Sequence, residues 1–424
     1  MNPFVRYRRL LESYTRARVA GMTDARFVEL VESLDRSVAG VAGHGFVTTP
    51  FDVEPKLAHR VGLDGIELWV KDDTGNIGGS HKGRHLFGLL LHLAIDAEVA
   101  GGGVIGAGAG PDLAIASCGN AALAAAVVAR AVDRPLHVFI PVDAEPAVVA
   151  ELERLGAIIS VCPRRPGEAG DPAYLAFRDA LATGALALSV QGTDAPATID
   201  GGRTIAWEMA EQLVEQLGAP ARLDRVFVQV GGGALATAVG RGFVDAVQQE
   251  WLVAAPALHA VQTAGAFPLV RAWDLLAERI VADLGHEVPP ITSGPDRAHV
   301  AGIIRTNRRE PAVRGWLDRA AAEPGRFMWP WEDTPRSIAT GILDDVTYDW
   351  IGVVDAMLHT GGWPVIVDER ALADANEAAL DATDIAVDPT GSAGLAGVMT
   401  CARFDGAPLY GERVAVLFTG VRRA

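Results

Sequence analysis

Beyond Thr49-Pro50 the chain alternates short β-rich apolar runs with Ala/Leu-rich stretches, and this alternation limits the fold more than any other feature. Strands are predicted over Glu67–Lys71, Leu136–Ile140, Ala157–Val161, Arg225–Val230 and Val414–Phe418. Helices are predicted over Leu86–Ile95, Ala121–Val132, Pro146–Leu155, Gly202–Leu217 and Leu235–Gln249. Such alternation argues for an α/β fold of mostly parallel sheets covered by helices on both faces. At 424 residues the chain is too long for one small domain, so two packed units are expected.

Two other regions depart from that rhythm. Residues 1–45 read as two amphipathic helices broken near Gly21-Met22-Thr23-Asp24. Residues 285–335 hold prolines, charges and the patch Phe327-Met328-Trp329-Pro330-Trp331; they are expected to form an irregular loop with a local core, and a lid or an oligomer contact are the other readings. The net charge of −16 argues against broad binding to nucleic acid or to an anionic membrane. The apolar run from Val99 to Ala129 carries too many glycines, with Pro111, Asp112 and Asn120, to be a bilayer helix; a buried strand, loop and helix are expected. Three cysteines without a CxxC pair support neither a zinc site nor a disulfide framework, and reduced thiols in a cytoplasm are the simplest reading. The basic N-terminal residues lack a following apolar stretch, so no signal peptide is expected.

Four short motifs carry chemistry. Asn76-Ile77-Gly78-Gly79-Ser80-His81-Lys82-Gly83-Arg84 places a lysine after a tight turn and before an apolar helix. A lysine half sheltered there loses solvation, which lowers an amine's pKa and suits Schiff-base chemistry with an aldehyde cofactor. Ser117-Cys118-Gly119-Asn120 opens a helix whose N-terminal amides suit a carboxylate, though Asn120 or Ser117 as an ordinary N-cap explains it equally. Gly231-Gly232-Gly233-Ala234 joins a strand to a helix, and three glycines let backbone amides converge on a phosphate. Asp388-Pro389-Thr390-Gly391-Ser392 offers a hydroxyl for a ring nitrogen, or another N-cap. Gly106-Ala107-Gly108-Ala109-Gly110 imitates a dinucleotide loop, but Pro111 stands where GxGxxG needs its third glycine; this counts against a nicotinamide-dependent dehydrogenase.

Taken in this order the motifs resemble the pyridoxal-phosphate enzymes of fold type II, the tryptophan-synthase-β-like family, over roughly residues 45–275 and 335–424. The resemblance implies two three-layer α/β/α domains. The expected division is an N-terminal helical segment (1–45), a large cofactor-binding domain (46–105 and 190–424) and a smaller mobile substrate-loop domain (106–189). Asn76–Arg84 is similar to the threonine-synthase pattern N-P-T-G-S-F-K-D-R, and its Ser80-His81-Lys82 to tryptophan synthase β. Lys82 is then the implied Schiff-base lysine and His81 a cofactor neighbour. Ser80, Ser117, Cys118, Gly119 and Asn120 are the implied substrate-binding residues, with Asn120 also at the cofactor's phenolic oxygen. Gly231, Gly232, Gly233 and Ala234 are the implied phosphate loop, and Thr390, with Ser392 as fallback, the residue at the pyridine nitrogen. No metal ligand is implied. Gly201-Gly202-Arg203-Thr204-Ile205-Ala206-Trp207-Glu208 is similar to the threonine-synthase stretch E-G-x-K-T-I-A-x-E and is read as structural.

The implied activity is elimination or replacement at the β or γ carbon of a small amino acid, in a cytoplasmic homodimer. Threonine-synthase-like chemistry leads on the Asn76–Arg84 and Gly201–Glu208 stretches. Serine/threonine ammonia-lyase chemistry follows on the glycine loop and the Asp388–Gly391 stretch. A noncatalytic ligand-binding protein on the same fold is the rival from another class. The departures are Ile77, Gly78, His81 and Gly83 within the lysine motif, Ala121 after Asn120, and Ala234 in place of a fourth glycine.

Overall fold

The computed structural model describes all residues except 102–109, 165–169, 288–289, 404–408 and 424. Ten strands lie among the described residues: β1 (Phe51–Val53), β2 (Glu67–Asp72), β3 (Leu113–Ala116), β4 (Leu136–Ile140), β5 (Ile158–Val161), β6 (Leu186–Ala187), β7 (Arg225–Gln229), β8 (Ala257–Thr263), β9 (Val365–Val367) and β10 (Arg413–Phe418). The chain divides into two compact units, residues 1–48 with 75–204 and residues 49–74 with 205–424. The sequence reading drew its boundaries after residues 45, 105 and 189; those of the units follow residues 48, 74 and 204.

The first unit is built on a four-stranded parallel sheet in the order β5-β4-β3-β6. Parallel neighbours need a crossover, and the Asn120–Ala131 and Pro146–Arg154 helices supply those between β3, β4 and β5. The Asn120–Ala131 helix is alanine-rich and buried from Ala121 through Ala129, which lets neighbours approach closely. The N-terminal break falls where the sequence places it: Thr23 Oγ1 accepts from the Arg26 amide at 3.1 Å and opens the Asp24–Ala42 helix, which ends on Gly43 at φ 86°.

The second unit holds a six-stranded sheet in the order β1-β2-β10-β7-β8-β9, antiparallel only at β1–β2. Its central strands are buried on both faces, as continuous apolar runs require. Phe227, Val228, Val261, Leu276, Leu417 and Trp273 belong to one contiguous core. Lys71 and Glu208, both fully buried, pair at 2.7 Å within this unit; the lysine also donates to the Thr49 carbonyl.

The region from 285 to 335 departs from the expected loop. It contains two helices, Gly294–Thr306 and Pro311–Ala322, and both contribute side chains to the core, among them Val300, Ile304, Val313 and Leu317. The prolines that suggested breaks stand in the first turns, where a missing N–H costs nothing. Phe327 and Met328 are buried in the same core. The Val99–Ala129 run resolves into β3 and the buried Asn120–Ala131 helix, and no described helix is long and apolar enough to cross a membrane. Residues 106–109 of the dinucleotide-like stretch lie outside the described residues.

Candidate active site

In the first unit the lysine motif forms one tight turn. The Asn76 side chain accepts from the Ile77 amide at 2.7 Å, its carbonyl accepts from the Gly79 amide at 2.8 Å, and Gly78 and Gly79 both adopt φ 71°. Ser80 is extended and fully buried, and the Lys82 amide donates to its Oγ at 3.4 Å. Lys82 then begins the Lys82–Val99 helix, itself half-buried among buried neighbours.

The departures from the family pattern have local causes. A Cβ on Gly78 would stand 3.2 Å from the Ala124 Cα, in a left-handed conformation that favours glycine. A Cβ on Gly83 would stand 2.7 Å from the Ile77 carbonyl oxygen. The turn is therefore tighter than a threonine and an aspartate would allow. Through Gly78 it packs on the helix that Asn120 opens, one turn beyond that residue.

His85, one turn after Lys82, is a site residue that no motif flagged. It is fully buried; its ring meets that of His81 edge-on at 5.6 Å. Nδ1 lies 3.0 Å from the Thr198 carbonyl, which makes it the N–H donor and leaves Nε2 as a lone pair with no hydrogen-bond partner. Burial first, and the Lys82 charge second, push the imidazole pKa down to about 3 against the Thr198 bond, so the ring is neutral at physiological pH.

The Ser117–Asn120 stretch leaves β3 after the Ser117 amide donates to the Phe139 carbonyl at 3.2 Å. The helix N-cap is Gly119, not Ser117 or Asn120, and no side chain caps it. Ser117, Gly119 and Asn120 are half-buried and Cys118 is exposed. An uncapped N-terminus of twelve residues offers amides and a positive dipole end to an anion.

In the second unit β7 runs into Gly231-Gly232-Gly233, and Gly233, at φ 97°, is the N-cap of the Ala234–Gln248 helix, again without a side-chain cap. Packing as well as any ligand demands glycine here. A Cβ on Gly231 would lie 2.5 Å from Asp344 Oδ2, and one on Gly233 would lie 3.1 Å from Thr347 Cγ2. Asp344 is a second residue that sequence reading missed. An anion held at this loop shares it with that carboxylate, so the amide and helix dipoles have to outweigh the repulsion. Ala234 is buried.

Thr390 and Ser392 separate clearly. Thr390 is half-buried and its Oγ1 accepts from the Gly341 amide at 3.0 Å. Ser392 is fully buried, accepts from Asn376 Nδ2 at 3.0 Å and donates to the Asp388 carbonyl at 3.1 Å. The Ser392 hydroxyl is thus committed to holding the Asp388–Ser392 turn, whereas the Thr390 proton stays available. Among the described residues no cluster of His, Cys, Asp or Glu is placed to hold a metal ion.

The first unit thus joins the Lys82 turn to the Asn120 helix, and the second places the glycine loop and Thr390 on the segment around residues 341–349, whose Asp349 amide donates to the Gly232 carbonyl at 2.8 Å. Comparison with known proteins adds a family model, described as pyridoxal-phosphate dependent enzyme, that matches residues 44–309. An L-serine dehydratase of Saccharomyces cerevisiae (strain YJM789) is 28% identical over 201 residues, 47% of this chain and 56% of the relative, so the chain spans about half the length of the curated relatives it matches. A maize serine racemase structure aligns with TM-score 0.58 at 18% identity, covering 93% of this chain and 94% of the other. The processed form of threonine deaminase isoform 2 from Solanum lycopersicum aligns with TM-score 0.58 at 16% identity, covering 95% and 91%. At such identities the two structures speak for the fold alone.

Proposed function

The chain belongs to the pyridoxal-phosphate dependent enzyme family, its cofactor is pyridoxal 5'-phosphate, and from that premise we propose that it is an ammonia-lyase acting on serine, threonine or a similar small amino acid. The observation that carries this reading is the Asn76–Lys82 turn, which sets a half-buried lysine at the head of a buried helix beside a neutral His85. The relative named L-serine dehydratase and the fold shared with a threonine deaminase support elimination over replacement. The all-glycine loop and Thr390 support it too.

In this reading Lys82 carries the cofactor, Gly231 to Gly233 with the Ala234 helix N-terminus hold its phosphate, and Thr390 faces its ring nitrogen. When bound, the cofactor supplies the electron sink. Lys82 Nζ takes the proton from the substrate Cα. The Thr390 hydroxyl donates to the ring nitrogen and leaves it unprotonated, which favours elimination over transamination. The uncapped amides after Gly119, with Ser117 and Asn120, hold the substrate carboxylate and so orient the Cα–H bond for cleavage. Loss of the Cα proton and the Cβ hydroxyl releases water, and hydrolysis then gives ammonia and a keto acid. The Ser117–Asn120 stretch belongs to the smaller, substrate-loop domain of this reading. A cytoplasmic homodimer completes it, and the three unpaired cysteines accord with a reducing compartment.

Replacement chemistry of the threonine-synthase kind is the second reading. One observation favours it: Arg84 Nη1 donates to Thr204 Oγ1 at 3.1 Å, joining the two stretches that resemble threonine synthases. The visible absorption of the cofactor-loaded protein separates the two. Serine or threonine is expected to shift the band and release keto acid, while Lys82→Ala lowers that rate by about a thousandfold or more. A response confined to O-phosphohomoserine moves the assignment to replacement. A protein that forms no band with added cofactor removes Lys82 from the chemistry.

A further inference from the structure

A cavity of about 300 Å³ opens in the first unit where the Asn120–Ala131 helix ends and β4 begins. Its lining includes Arg130, Asp133, Arg134, Leu155 and Ile158, two cations to one carboxylate. Arg134 is the unusual member. It is only 8% exposed, yet its Nε and Nη2 are buried and have no hydrogen-bond partner. A guanidinium cannot shed its proton to escape such a position, so its unmet donors remain a cost until an acceptor arrives. Burial works against its charge, and the opposing carboxylate, Asp112, already binds the His137 ring at 2.8 Å.

Arg130 stands in the last turn of the helix, exposed, with Nη1 3.3 Å from the position a Cβ on Gly156 would take. The two arginines are four residues apart and line the same cavity, one buried and fixed, the other able to swing. Paired guanidinium forks match the oxygens of a phosphate better than any other common ligand. The volume lies at the lower end for small-molecule sites and exceeds what a bare phosphate fills. Arg130 lies about 15 Å along the helix from Asn120, and the glycine loop belongs to the other unit.

We propose that Arg130 and Arg134 form a second anion site, separate from the cofactor's, that takes phosphate or a small phosphate ester. The test uses protein loaded with pyridoxal 5'-phosphate, so that the cofactor's own phosphate seat is filled. Inorganic phosphate is titrated calorimetrically while the cofactor band is monitored, and glycerol 3-phosphate is titrated in parallel. Saturable one-to-one binding with an unchanged band is expected. Arg130→Ala, an exposed substitution that leaves the core intact, is expected to weaken it about tenfold, and Arg134→Lys to weaken it as well. Tighter binding of the ester identifies an ester as the ligand, and tighter binding of free phosphate identifies phosphate. Absence of saturable binding, affinity unchanged in both variants, or binding that displaces the cofactor band overturns the site. None of these outcomes touches the elimination assay, so the two readings fail separately.

Discussion

Gly78 stands where the threonine-synthase pattern carries threonine, and at the residue scale the sequence alone makes this look like a lost function. The backbone explains it otherwise. Gly78 is at φ 71°, with the Ala124 Cα 3.2 Å from its absent Cβ, so the turn has traded a side chain for close packing on the Asn120 helix. Gly78→Thr is therefore expected to lower stability by about 1–3 kcal/mol through backbone strain and steric conflict. Denaturant unfolding of the purified variant reads this directly. A variant as stable as the parent, with the same cofactor band, would mean that the turn opens freely and that the departure has no structural cause. The same scale shows where sequence reading ran out. Lys82, Asn120 and Gly231–Gly233 were legible because each sits in a turn of small residues between a strand and a helix. His85 and Asp344 were not, since each acquires its environment from residues distant in the chain, Thr198 in one case and Gly231 in the other.

At the scale of elements, the Glu12–Val19 helix illustrates a cap supplied from far away. Its N-cap position is Leu11, which has no side-chain acceptor, and the amides of Glu12 and Ser13 instead donate to the two Asp200 oxygens at 2.9 Å each. His92 approaches the same carboxylate at 3.0 Å. Burial alone would raise the Asp200 pKa, but the bonds from His92, Ser13 and Glu12 outweigh it and hold the group below its ordinary 3.8. A carboxylate with a depressed folded pKa stabilises above its unfolded value, and that stability is lost as pH falls through the folded one. Asp200→Asn is accordingly expected to cost about 1–3 kcal/mol at neutral pH, and its deficit against the parent should shrink once pH drops below 3.8. Denaturant unfolding at neutral and at acid pH checks both halves; a pH-independent deficit would assign the loss to packing. Elements with a simple apolar pattern were read nearly to the residue. β4 was predicted as it stands, and β7 lost only Val230 at its end. β8 escaped because His259 and Gln262 interrupt its apolar pattern. Both are buried: the Gln262 side chain donates to the Val230 carbonyl at 3.3 Å and accepts from the Leu269 amide at 2.9 Å, while His259 Nδ1 lies 3.2 Å from the Trp363 carbonyl. Polar side chains whose partners are non-local hide a strand from any local pattern.

For the whole molecule, the α/β class with mostly parallel sheets was legible, because alternation of buried strands and amphipathic helices admits few other arrangements. The helices within residues 285–335 were not, since proline and charge dominate their composition while their apolar residues, spaced by threes and fours, are few. What binds to the folded chain and not to the unfolded one adds to its stability by mass action. Pyridoxal 5'-phosphate is such a ligand, so stripping the cofactor is expected to lower the thermal midpoint. Restoring it at about a hundredfold excess over Kd should return about 2.7 kcal/mol. Pyridoxal, which keeps the aldehyde and lacks the phosphate, isolates the role of the glycine loop. If Gly231 to Gly233 and the Ala234 helix hold the phosphate, pyridoxal should raise the midpoint much less than the full cofactor, and Lys82→Ala should reduce the response to both. Equal stabilisation by the two compounds would take the glycine loop out of the site, leaving its three glycines to the packing of Asp344 and Thr347 alone.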